Sequence, residues 1–120
     1  MIYYVNGKYI DSSKANISIS DAGFLYGDGL FETMRFDNRK IFSPLKHIIR
    51  LQKGLEIINL KINYNQNSLL DLLNTVIEKN NLDYGIIRLM ITRGDTNNIE
   101  EIPSTIIVIK PFYEIPQKPV

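Results

Sequence analysis

The sequence has no cysteine, no tryptophan and a single histidine. Without cysteine, disulfides and thiolate metal sites are excluded, which fits a reducing, intracellular setting. One histidine leaves one side chain whose ordinary pKa lies near neutrality. No apolar run approaches the roughly 18 residues of a membrane span. The N-terminus, MIYYVNGKYI, lacks the charged start and apolar core of a signal peptide. Net charge is +1, with no basic stripe and no long charge run, so nucleic acid is not an expected partner. Repeats and low-complexity tracts are also missing. The expectation is a soluble, cytoplasmic chain with neither a membrane nor a nucleic acid as partner.

What is present is one domain's worth of chain: 120 residues, 44% of them apolar, enough for a modest core. Asn6-Gly7 between β-formers predicts a hairpin of Ile2–Val5 and Lys8–Ile10, because both turn positions need positive φ. Asn16–Ser20 reads as a short half-buried strand or an extended loop. Asp21 to Leu51 is the most informative stretch. Gly23, Gly27 and Gly29 permit sharp bends or close approach. Leu30–Phe36 alternates as a strand, with Phe31, Thr33 and Arg35 on one side and Leu30, Glu32, Met34 and Phe36 on the other. Asp37–Lys40 turns it, and Ile41-Phe42 starts the return. Ser43-Pro44 reads as a cap followed by proline at the first helical position.

The helix so begun is predicted over about Pro44–Leu60, with Ile48, Leu51, Leu55 and Ile58 as its apolar stripe. His47 and Arg50 border that stripe, and Gly54 lies one turn further on. A mid-helix glycine costs about 1 kcal/mol against alanine, so Gly54 is expected to make room for something. A second helix, capped by Asn67 or Ser68, runs to about Lys79. Gly85–Thr92 reads as a buried strand, with Arg88, Met90 and Thr92 on one face and Ile87, Leu89 and Ile91 on the other. Ser104–Ile109 is an apolar, central strand. Pro111–Val120, rich in proline, reads as a linker. The order of elements predicts an α+β domain: a largely antiparallel sheet with two helices on one face.

Several residues carry chemistry. Arg50 offers a permanently charged planar fork suited to phosphate or carboxylate; as a plain surface arginine it would lie along its helix. His47 would contact the same anion or serve structurally. Arg88, in a strand of Ile, Leu and Met, needs a ligand or an ion-pair partner, for which Glu32 and Asp28 are the candidates. Arg93, at that strand's end, reads as a solvated turn charge. Tyr26-Gly27-Asp28-Gly29 lacks the Lys and Ser/Thr of a P-loop and the helix of a dinucleotide fingerprint. Asp21, Asp28 and Glu32 lack EF-hand spacing, and no metal is expected.

The run D-A-G-F-L-Y-G-D-G-L-F-E-T-M-R, followed by I-F, by H-I-I-R-L and by a strand ending in R-G, resembles the N-terminal half of the fold type IV pyridoxal-phosphate enzymes. These comprise branched-chain aminotransferases, D-amino-acid aminotransferases and aminodeoxychorismate lyases. The resemblance implies pyridoxal 5'-phosphate as cofactor, with Arg50 holding its phosphate. It implies Tyr26, Phe31 and Arg88 in the substrate pocket, with Arg35, His47 and Arg93 supporting. The substrate implied is a small amino acid or a chorismate-derived compound. Phe31-Glu32-Thr33 stands where branched-chain enzymes usually have F-E-G, which leans away from a branched-chain enzyme proper. The family's cofactor-bearing lysine lies in a second domain. The expectation is therefore a small N-terminal domain over residues 1–110, an interdomain linker over 111–120, and a catalytic C-terminal domain beyond. No catalytic residue is expected in this chain, which would be inactive alone; the parent would be a homodimer. The competing reading is a non-catalytic binding or oligomerisation domain that keeps the fold. Either version exposes apolar surface and predicts self-association.

Overall fold

The computed structural model describes residues 1–111. Six strands form one sheet in the order β2-β1-β6-β5-β3-β4, and every pairing is antiparallel. β1 (Ile2–Val5) and β2 (Lys8–Asp11) form the first hairpin. Its turn residues Asn6 and Gly7 have φ of 48° and 91°, the twist that a tight hairpin turn requires. β3 spans Gly29–Asp37, β4 Lys40–Ile41, β5 Gly85–Thr92 and β6 Ser104–Pro111. β6 lies between β1 and β5, as its apolar run predicts.

Two long helices cover one face: α2 (Pro44–Ile57) and α3 (Gln66–Asn80). The buried face of α2 is Ile48, Leu51 and Leu55, and that of α3 is Leu69, Leu73, Val76 and Ile77. They pack on Met34 and Phe36 of β3, Ile87, Leu89 and Ile91 of β5, and Ile107 and Ile109 of β6. Burying each such side chain stabilises the fold by roughly 1.5–3 kcal/mol. The opposite sheet face carries Phe31, Thr33, Arg35 and Arg88, all exposed. Strand alternation alone places them there, because their neighbours are the core residues.

Asn16–Ser20 takes the loop form of the two expected. Three local expectations need correction. The glycine-rich stretch contains a short helix, α1 (Ala22–Tyr26), which the glycines conceal from a propensity argument. Asp21 caps it by accepting from the Gly23 backbone N–H at 2.8 Å, and Gly27 closes it at φ 64°. Ser43 precedes Pro44 as expected but has φ 49° and makes no side-chain cap. α3 is capped two or three residues earlier than expected, by Asn65, in a reciprocal box with Ser68. β5 and β6 are buried mainly on their helix-facing side, with Arg88 and Lys110 exposed on the other. Pro111 ends β6; the rest of the expected linker lies outside the described residues.

β4 pairs only with Phe36 and Asp37. From Gly29 to Met34 the outer edge of β3 therefore pairs with no strand among the described residues. Side chains from both faces of β3 flank that open edge.

Candidate functional site

Glu32 sits in β3 between positions that face the open side, so it points toward the helices with Met34 and Phe36. A carboxylate there must be paired. Its side chain is 9% exposed. Arg50 of α2 donates to it from Nε at 3.0 Å to Oε2 and from Nη2 at 2.6 Å to Oε1. His47, one turn earlier, places Nδ1 2.7 Å from Oε1. The expected border of α2 is thus real: His47 and Arg50 share one helix face and meet one carboxylate. Glu32 was not predicted as a site residue. The signal was present, since a carboxylate alternated in register with Met34 and Phe36 and two cationic candidates bordered the helix stripe.

Burial pushes the Glu32 carboxyl upward, but the hydrogen bonds and charges of Arg50 and His47 outweigh it and hold the group below the usual carboxylate range. The same bonds push Arg50 up. A depressed carboxyl stabilises the fold above its unfolded pKa, and that stabilisation is lost as pH falls through the folded value. Stability to urea is therefore expected to decline below about pH 5, and less steeply in Glu32→Gln. An equally steep decline in both proteins would remove this cluster as the cause.

Arg50 itself is open: its side chain is 70% exposed although one edge of the guanidinium is held. The Glu32 bonds use Nε and Nη2, which leaves Nη1 outside the pair. Gly54 does make room, as its place in mid-helix implies. A Cβ there would lie 2.6 Å from Leu30 Cδ1, so the helix comes close to β3 and brings Arg50 to Glu32.

Phe31 and Arg88 meet on the other side of the strand. Arg88 Cζ lies 4.8 Å from the Phe31 ring centroid, a cation–π arrangement. Arg88 Nε donates to Thr33 Oγ1 at 3.1 Å. Its expected ion-pair candidates are not its partners: Glu32 faces the helices and Asp28 pairs with Arg93. A hollow of about 280 Å³ beside Arg88 is lined by Tyr3, Thr33, Ile86, Val108 and Lys110. Arg35 lies further along the same face, opposite Ile86, away from Arg50.

Tyr26 ends α1 and is 76% exposed over a hollow of about 830 Å³. α1 is held by Asp21, whose Oδ2 accepts from Ser104 Oγ at 2.6 Å, and by the Ala22 N–H, which donates to the Gly94 carbonyl at 2.8 Å. Arg93 is not the solvated turn charge its position predicts. It pairs with Asp28 at 2.7 Å and donates to the Ile58 carbonyl at 2.7 Å, tying the start of β3 to the end of α2. The structure therefore makes two groups: Glu32, His47 and Arg50 on the helix side of β3, and Phe31 with Arg88 on the open side. Tyr26 stands apart, on the helix that leads into the strand.

The profile of the family described as amino-transferase class IV matches residues 29–120. The D-alanine aminotransferase of Staphylococcus aureus (strain MSSA476) is 30% identical over 101 residues, covering 84% of this chain and 36% of that protein. A putative branched-chain-amino-acid aminotransferase of Methanocaldococcus jannaschii is 36% identical over 94 residues, covering 78% of this chain and 33% of its own length. The chain thus spans about a third of these relatives. Among solved structures, the branched-chain amino acid aminotransferase from Escherichia coli superposes with a TM-score of 0.83 at 25% identity, over 92% of this chain and 41% of that one. A hypothetical aminotransferase from Mycobacterium tuberculosis, solved in its PLP-bound form, shares the fold with a TM-score of 0.81 at 16% identity, over 92% and 39% of the two chains.

Proposed function

The chain belongs to the class IV aminotransferase family, and on that premise we propose that it is the N-terminal part of a pyridoxal-phosphate-dependent aminotransferase acting on an amino acid. The observation that carries this reading is Arg50. Its guanidinium is anchored at one edge by Glu32 and exposed at the other, an arrangement that fits a phosphate monoester. His47 sits beside it with Nδ1 turned to Glu32.

Pyridoxal phosphate supplies the electron sink when bound. The chain's own residues bind and orient. Arg50 takes the phosphate. Phe31 presents an apolar ring and Arg88 a cation for a substrate carboxylate; Tyr26 would reach the substrate from α1, over a separate hollow. The unpaired edge of β3 lies between the two groups, so a ligand along it reaches side chains from both faces of the strand. Arg35 and Arg93 have supporting roles, Arg93 by fixing α2 against β3. Proton movement belongs to the family's lysine in a second domain, joined through residues 111–120. That domain would cover Phe31 and the exposed sheet face, and the assembled protein would be a cytoplasmic homodimer. No helix of the described residues is long and apolar enough to cross a membrane. An aminotransferase is preferred to a lyase because the relatives carry that name. The same likeness disfavours a non-catalytic assembly domain.

The test is the visible absorbance spectrum after adding pyridoxal phosphate to this chain and to the longer product of its reading frame. A visible band in the longer product only, removed by borohydride, is the expected result. A band in this chain alone would place the cofactor lysine among its own residues and sink the two-domain account. No band in either would sink the cofactor itself.

A further inference from the structure

We infer that Glu32 is a positioning residue for the phosphate site: it sets the Arg50 guanidinium in its binding orientation and fixes the hydrogen on His47 Nδ1. This rests on the reading of Arg50 as the phosphate ligand. Four observations carry it. Glu32 is the one carboxylate on the buried side of β3, with a side chain 9% exposed. Both its oxygens are used by Arg50, from Nε and Nη2. His47 Nδ1 approaches the same Oε1 at 2.7 Å. Finally, Arg50 keeps its outer end in solvent, its side chain 70% exposed.

The chemistry follows from the donor set. An arginine has no acceptor, so the 3.4 Å approach of Nη2 to His47 Nδ1 is a hydrogen bond only when Nδ1 lacks a hydrogen. The shorter contact is with Glu32, and a carboxylate only accepts. The hydrogen therefore resides on Nδ1. An unheld arginine must lose rotamer freedom when it binds an anion, whereas one already clamped by a carboxylate has lost most of it. Glu32 also opposes the phosphate by its charge. The clamp prevails because the carboxylate lies behind the guanidinium, with Arg50 between it and the exposed side, and because His47 adds a second donor to the same anion. A carboxylate in a purely structural pair would not discriminate between ligands with and without a phosphate.

The experiment uses the longer reading-frame product and compares dissociation constants for pyridoxal phosphate and phosphate-free pyridoxal. Their ratio removes every contribution the two aldehydes share. Glu32→Gln is expected to lower the ratio roughly tenfold, the cost of immobilising one long side chain, while pyridoxal binding stays unchanged. Arg50→Met is the reference variant and should lower it further. If Arg50→Met lowers the ratio and Glu32→Gln does not, the inference fails and the phosphate reading stands. If neither lowers it, both fail. Should Glu32→Gln not fold, the unsubstituted protein still decides. Nitrogen-15 spectra of its arginines should show the Arg50 Nε–H exchanging with water far more slowly than in a free arginine side chain. Exchange at the free rate would overturn the clamp.

Discussion

Arg50→Met is expected to weaken pyridoxal phosphate binding by about a hundredfold in the longer reading-frame product, the scale of one or two charge-assisted hydrogen bonds. Methionine keeps the length and helix propensity of the position, so α2 should persist. The apolar stripe Ile48, Leu51 and Leu55 is untouched. Two secondary effects separate this from general damage. Glu32 loses its largest source of downward pressure, so its carboxyl rises toward, or past, the ordinary range. The acid limb of the stability profile then flattens, because a carboxyl with the same pKa folded and unfolded contributes no pH dependence, while binding of phosphate-free pyridoxal changes little. Arg50→Lys keeps the charge but loses the planar fork that spans Nε and Nη2, and should fall between the two. Equal affinity of Arg50→Met and the unsubstituted protein for pyridoxal phosphate would place the phosphate elsewhere.

The expectation drawn from periodicity was good for whole elements and poor where function concentrates. β5 was predicted at its observed bounds because Ile, Leu and Met alternate around Arg88 without interruption. α2 was predicted to run on to Leu60 but ends at Ile57. Asn59 adopts φ 55°, and the Leu60 N–H returns to the Leu55 carbonyl, a stop with no glycine or proline to announce it. α1 escaped notice for the opposite reason. Its residues, Ala22 to Tyr26, include a glycine and are followed by two more, and its stability comes from Asp21, Ser104 and Gly94, none of them in the helix. That is tertiary support, which a local pattern cannot display.

The site divides along the same line. Arg50, Phe31 and Arg88 were named through the family resemblance; alternation alone left Arg88 paired with Glu32 or Asp28, whereas the sheet sets it beside Phe31. Glu32 was placed on the correct side of β3 without its consequence being drawn. Once Met34 and Phe36 are read as core, a carboxylate in the same register demands a cation, and the helix border of His47 and Arg50 supplies it. Arg93 shows the limit: its partners, Asp28 and the Ile58 carbonyl, lie in elements far apart in sequence.

Gly94→Ala should be the most damaging single-methyl change in the described chain, costing about 3 kcal/mol or more through backbone strain and overpacking together. Gly94 has φ 94°, where an L side chain is strained whatever space surrounds it. Space is also lacking. An added Cβ would lie 2.0 Å from the Ile102 carbonyl oxygen and 3.0 Å from its carbon, both backbone atoms that cannot rotate away. Gly54→Ala is the natural control. Its Cβ would meet only Leu30 Cδ1, the mobile end of a side chain, at 2.6 Å. The helix would gain about 1 kcal/mol of propensity, so the net change should be small. Urea midpoints of the two variants at unchanged slope decide the matter, and equal midpoints would remove the steric argument. The Gly94 effect should also reach the site. Its carbonyl receives the Ala22 N–H, so any shift of the 93–103 loop is passed to α1 and to Tyr26. With Tyr26 in the proposed substrate pocket, substrate discrimination should therefore suffer in Gly94→Ala at temperatures where the protein is still folded.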